Sequence, residues 1–172
     1  MRRYLMLLGL LALGASAFVA GCLLLPADGK IPRPVVEAFD NPDSFILYSL
    51  EPARPVVGGE EAKPDAETFH GHTVLGRTEV KDAVTRRKLA AAFSRGVSDH
   101  DGSVAACFIP HHGIRVRKGK SVVDLVVCFK CAQVYVYVNG EQTETILIST
   151  SPRAAFNEVL ERARVPLSDG AR

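Results

Sequence analysis

Hydrophobic and polar positions divide the chain into three stretches. From Tyr4 to Leu25 there are 22 residues without a charge, close to the ~20 that span a bilayer. Between residues 26 and 64 lie seven of the ten prolines, with Gly58-Gly59 and Glu60-Glu61 among them, a composition that opposes regular helix and favours an extended tether. One apolar interruption, Phe45 to Leu50, predicts a strand docking on the domain. From Thr68 the pattern becomes periodic. Thr73 to Val80 reads as a strand, and Asp82 as the N-cap of a helix that stops at Gly96 and buries Leu89, Ala92 and Phe93. Ser98 to Gly102 is a loop whose acids lack the spacing of a calcium site.

The remainder reads as antiparallel sheet. Ile114 to Arg117 alternates, Lys118-Gly119-Lys120 turns, and Val122 to Phe129 returns almost wholly apolar. Gln133 to Val138 meets the hairpin signal Asn139-Gly140 and continues as Thr143 to Ser149. A single strand from Ser121 to Val138 would be too long, so a bend or bulge is expected near Lys130-Cys131. Ser151 caps a last helix with Pro152 at its first position, Phe156, Val159, Leu160 and Ala163 inward, and Val165-Pro166 beyond its end. The predicted fold is α+β: an antiparallel β-meander sheet packed with two α-helices. It divides into a leader over residues 1–21, a proline-rich tether over 22–66 and a globular domain over 67–168.

Composition and charge sharpen the first 25 residues. The basic pair Arg2-Arg3 ahead of the apolar run is a signal-peptide layout. Val19-Ala20-Gly21-Cys22 resembles the lipobox of bacterial lipoproteins. The resemblance implies that the mature chain begins at Cys22 carrying a lipid, anchored in the bacterial cell envelope and facing away from the cytoplasm. It implies the periplasmic face of the outer membrane in a Gram-negative cell, because Leu23 and not Asp follows. The alternative is an uncleaved signal anchor with Arg2 and Arg3 inside. Losing those two from 21 Lys+Arg leaves 19 against 19 Asp+Glu, so the mature chain is formally neutral and has no broad electrostatic reason to bind nucleic acid.

The candidate chemistry is a cluster of cysteines and histidines. Cys107-Phe108-Ile109-Pro110-His111-His112-Gly113-Ile114-Arg115 is followed by Asp124-Leu125-Val126-Val127-Cys128-Phe129-Lys130-Cys131. These stretches, with Phe69-His70-Gly71 and Val165-Pro166-Leu167, resemble motifs of an uncharacterised group of exported bacterial proteins, a resemblance that implies a shared domain and no particular activity. If Gly119-Lys120 is a two-residue turn, Val116 faces Val123, Ile114 faces Leu125 and His112 faces Val127; a one-residue change in loop length, to a longer loop, would bring His112 opposite Cys128.

Three readings of the cluster stand side by side. With Cys22 lipidated, three of the four cysteines remain in an oxidising compartment, and one disulfide plus one leftover thiol is the simplest pairing. In that reading Cys107 bonds Cys128 or Cys131, or Cys128–Cys131 forms a short, exposed redox-type loop. In the second, Cys107, Cys128 and Cys131 with His111 or His112 bind Zn²⁺ tetrahedrally. In the third they are buried small hydrophobes. His70 and His72, sharing a strand face, form a secondary metal candidate or a hydrogen-bonded pair. Arg115 and Arg117 would hold an anion or simply cover an exposed strand. The sequence therefore predicts a membrane-tethered, non-enzymatic binding or structural lipoprotein, or else a zinc-binding or thiol-redox protein built on the cluster.

Overall fold

A computed structural model describes residues 30–52 and 66–172. The leader, Cys22 and the segment 53–65 lie outside the described residues. Helix α1 (Arg33–Phe39) leads into strand β1 (Ser44–Leu50), followed by β2 (Thr68–Phe69), β3 (His72–Glu79) and helix α2 (Ala83–Ser98). Strands β4 (His112–Lys118), β5 (Ser121–Cys128), β6 (Gln133–Val138) and β7 (Glu141–Leu147) form the expected meander, and helix α3 (Arg153–Arg162) ends the described fold. The strands make one antiparallel sheet in the order β2-β3-β1-β4-β5-β6-β7, curled into a half-barrel.

Two features depart from the sequence expectation at the N-terminal end. A third helix stands where the prolines predicted an extended tether. Pro32 and Pro34 occupy the entrance and first turn of α1, where a missing N–H breaks no intrahelical bond. Strand β1 stands where Phe45 to Leu50 predicted a strand docking on the domain, but it is built into the sheet. It is hydrogen-bonded to β3 on one side and β4 on the other, so it lies inside the sheet.

Side chains alternate between two faces. Phe45, Leu47, Ile114, Val116, Val123, Leu125, Val127, Val134 and Val136 meet Val35, Leu89, Phe93, Phe156 and Leu160 of the three helices in the main core. The β4–β5 turn has the two-residue loop expected, with Val116 opposite Val123 and His112 opposite Val127. The anticipated bend between β5 and β6 is a complete hairpin: Cys128 pairs with Gln133, and residues 129–132 reverse the chain. Ala132 takes φ 60 in this turn.

Both helix ends differ from expectation. Asp82 caps α2 through a 2.7 Å bond from the Thr85 N–H, but the helix runs through Gly96 to Ser98. Gly96 is there for close packing and not for termination: a β-carbon on it would stand 2.3 Å from the Pro152 ring. The Ser149 N–H also donates to the Gly96 carbonyl at 2.8 Å, so the connection into α3 lies directly on the α2 backbone. In α3, Pro152 is itself the cap residue, and the Ser151 hydroxyl is bonded to Ser149 at 2.9 Å instead of capping. Among the described residues, no helix is long and apolar enough to cross a membrane.

Candidate functional site

The sheet face turned away from the helices carries a second cluster. Tyr48, Leu50, Phe69 and Val126 are buried there, with Ile46, Val74, Phe108, Tyr135 and Tyr137 packed against them. The two-residue hairpin between β2 and β3 folds over this face. At its tip His70 adopts φ 49, and Phe69 stacks on Tyr48 with ring centroids 4.5 Å apart. Gly113 makes that approach possible, since a β-carbon on it would stand 2.8 Å from the Phe69 ring.

Asp124 is the polar centre of this face. It is 2 % exposed and sits directly across from Arg115 in the β4–β5 pair. Arg115 donates to both carboxylate oxygens, at 2.8 Å from Nε and 2.7 Å from a terminal nitrogen, and His70 Nε2 approaches the second oxygen at 2.8 Å. A carboxylate only accepts, so Nε2 is the donor. Burial by itself would raise the Asp124 pKa, but the bonds from Arg115 and His70 outweigh it and hold the carboxyl below its usual range. His70 stacks on Tyr137 at 3.7 Å, and the Arg115 guanidinium lies 5.3 Å from the Phe69 ring centre. The cluster ties the β2–β3 hairpin to the middle of the sheet.

The predicted pairing of His70 and His72 on one strand face does not occur. The chain turns at His70-Gly71, leaving His70 at the tip and His72 buried as the first residue of β3. Arg117 lies two pairs beyond Arg115 on β4, opposite Val122, and is exposed; Arg115 is committed to Asp124 and not to an external anion.

The cysteine and histidine cluster separates into three parts. Cys128 and Cys131 form a disulfide across the β5–β6 turn, with α-carbons 5.2 Å apart. They are 0 % and 2 % exposed, so this C-x2-C loop is buried and not the exposed one anticipated. Cys107 is a free, exposed thiol. His111 is hydrogen-bonded through Nδ1 to Ser168 at 2.7 Å, and burial together with Lys130 and Arg153 lowers its pKa. His112 projects into the helix side, bonded through Nε2 to Asn157 Oδ1 at 2.7 Å, while Asn157 donates to the Ala171 carbonyl at 2.8 Å. Its pKa is lowered to about 4, chiefly by burial against the opposing effect of Asn157. The two histidines therefore fasten α3 and the C-terminal residues to the sheet. The Cys3His set predicted for Zn²⁺ is not assembled, and among the described residues no group of three or more His, Cys, Asp or Glu side chains could hold a metal ion.

Sequence reasoning did not single out Asp124 as a site residue. Its signal was available: it is the one charged residue in an otherwise apolar run from Val122 to Cys128. The aromatic partners Tyr48, Tyr135 and Tyr137 carried no comparable signal, because alternation alone does not say which face of a sheet the helices cover.

A cleft of about 350 Å³ lies at the β7 edge, lined by Lys30, Val97, His100, Gly102, Thr145, Ile146 and Leu147. None of the predicted site residues borders it, so it is distinct from the aromatic face. No family model matches the chain, and no solved structure matches it.

Proposed function

We propose that this protein is a lipoprotein of the bacterial cell envelope, tethered to the membrane through Cys22, whose folded part is a non-enzymatic binding or structural domain. The lipobox-like Val19 to Cys22 behind a basic, apolar leader supports the tether. One observation carries the non-enzymatic part: apart from the exposed Cys107, the groups capable of chemistry in the motif stretches are engaged with the fold itself. Asp124 binds Arg115 and His70, His111 binds Ser168, His112 binds Asn157, and Cys128 is bonded to Cys131. The partly buried stacks of His70 on Tyr137 and Phe108 on Tyr135, the latter with 3.8 Å between centroids, border a surface suited to an aromatic or apolar partner.

The tether is tested by growing cells with a radioactive fatty acid. The label is expected on the wild-type protein and absent from Cys22→Ala; label retained by the variant would refute lipidation at that residue. A second reading, thiol-redox chemistry, is favoured by the C-x2-C disulfide between Cys128 and Cys131.

A further inference from the structure

The exposed thiol and the buried disulfide are in contact through the backbone. The segment carrying Cys107 lies on Cys131 at both of its ends. The Ala105 N–H donates to the Cys131 carbonyl at 3.2 Å, and the Ile109 N–H reaches Cys131 Sγ at 3.1 Å. Gln133 holds the same segment by donating to the Ala105 carbonyl at 3.0 Å. Cys107 is two residues from each contact, so its α-carbon lies within roughly 7 Å of backbone that touches Cys131. Exchange requires the segment to bring the two α-carbons to the separation a disulfide allows, roughly 4.4–6.8 Å.

Each buried sulfur has its own backbone donor. Ile109 N–H serves Cys131 Sγ, and Cys131 N–H reaches Cys128 Sγ at 3.0 Å. Such donors stabilise a thiolate more than a disulfide sulfur, which helps the bond open. What the Cys128–Cys131 bond lacks is access, with both residues almost fully covered.

We propose that Cys107 is the point of access through which an external dithiol reduces the buried Cys128–Cys131 bond, making the three cysteines a thiol–disulfide exchange site. This rests on the redox reading of that bond. The Cys107 thiolate attacks Cys131 Sγ, forming Cys107–Cys131 and releasing Cys128 as a thiolate. An external thiolate then attacks Cys107 Sγ, which is exposed, and releases Cys131. The second thiol of the external molecule closes on the first, freeing Cys107. Two electrons and two protons pass from the dithiol to Cys128 and Cys131, and the external molecule leaves as a disulfide. The same steps in reverse would oxidise Cys128 and Cys131 to their disulfide and reduce an external disulfide to its dithiol.

The test uses the full chain, purified oxidised in detergent, with dithiothreitol as the probe and alkylation with peptide mapping as the readout. Wild-type Cys128–Cys131 is expected to be reduced at least about tenfold faster than in Cys107→Ser, since attack there must await exposure of a buried sulfur. Cys107 is exposed, so the Ser variant should fold; circular dichroism checks this. In Cys128→Ser, a Cys107–Cys131 cross-linked peptide is expected. Equal reduction rates in wild type and Cys107→Ser would overturn the role of Cys107 while leaving the redox reading standing. A bond that resists reduction in both proteins until they are denatured would overturn that reading and the proposal with it.

Discussion

His112 shows how a single side chain is fixed by its surroundings. Asn157 spends its amide N–H₂ on the Ala171 carbonyl, so its oxygen faces the imidazole and Nε2 must carry the proton. The other nitrogen, Nδ1, is buried with no hydrogen-bond partner among the described residues. A second proton there would be a desolvated charge, which is why the pKa falls to about 4. The unfolded chain, with histidine near 6.5, therefore binds the proton more readily than the folded one. Stability supplied by neutral His112 is complete above the unfolded value and is lost as pH falls from about 6.5 towards 4. The full shift corresponds to about 3 kcal/mol, and urea titrations across that range should show it. A His112→Gln variant, which keeps a donor for Asn157 but cannot titrate, should lose that dependence; an unchanged pH profile would contradict this account. The sequence disclosed the two histidines but not their direction, because their partners Ser168 and Asn157 lie 57 and 45 residues away. Arg115 and Asp124 were closer to legible. The turn that sets Val116 opposite Val123 also sets Arg115 opposite Asp124.

At the level of elements, local signals served where they were local. The Asp82 cap, the Gly119-Lys120 turn and the Asn139-Gly140 turn depend on neighbours in sequence, and each has the expected neighbours. Gly96 misled because glycine has two uses in a helix. It can end one through a left-handed conformation, or it can let another chain segment lie against the backbone. Only the tertiary contact with Pro152 distinguishes them. Gly96→Ala should gain helix propensity of up to about 1 kcal/mol, yet lose more by forcing α2 from the proline ring. The expected net result is a urea midpoint lowered by the equivalent of about 1–2 kcal/mol with an unchanged slope. A midpoint at or above wild type would show that the connection yields without cost. The proline-rich region misled in the same manner, since Pro32 and Pro34 sit where a helix tolerates them.

For the molecule as a whole, the decisive element is β1. It joins β3 to β4, and without it β2 and β3 have no strand pairing with the meander. Phe45 and Leu47 of β1, with Val35 and Phe39 of α1, are also part of the main core. A chain beginning at residue 30 is therefore expected to fold cooperatively, whereas one beginning at residue 52 should lose its sharp thermal transition, as calorimetry would show. Cooperative melting of the shorter chain would mean that the meander and its two helices suffice. This arrangement could not be read from residues 26–64 alone, because a strand's place in a sheet is set by pairings distant in sequence.

The same placement shortens the leash. A tether over residues 22–66 would let a lipid-anchored domain range far from its membrane, but the fold already includes residue 30. Eight peptide units then separate Cys22 from Lys30, a reach of at most roughly 29 Å whatever path they take. In the lipid-anchored form proposed above, the domain would patrol only the layer of solvent next to the bilayer, and a partner docking on its aromatic face would have to come to the membrane to be met.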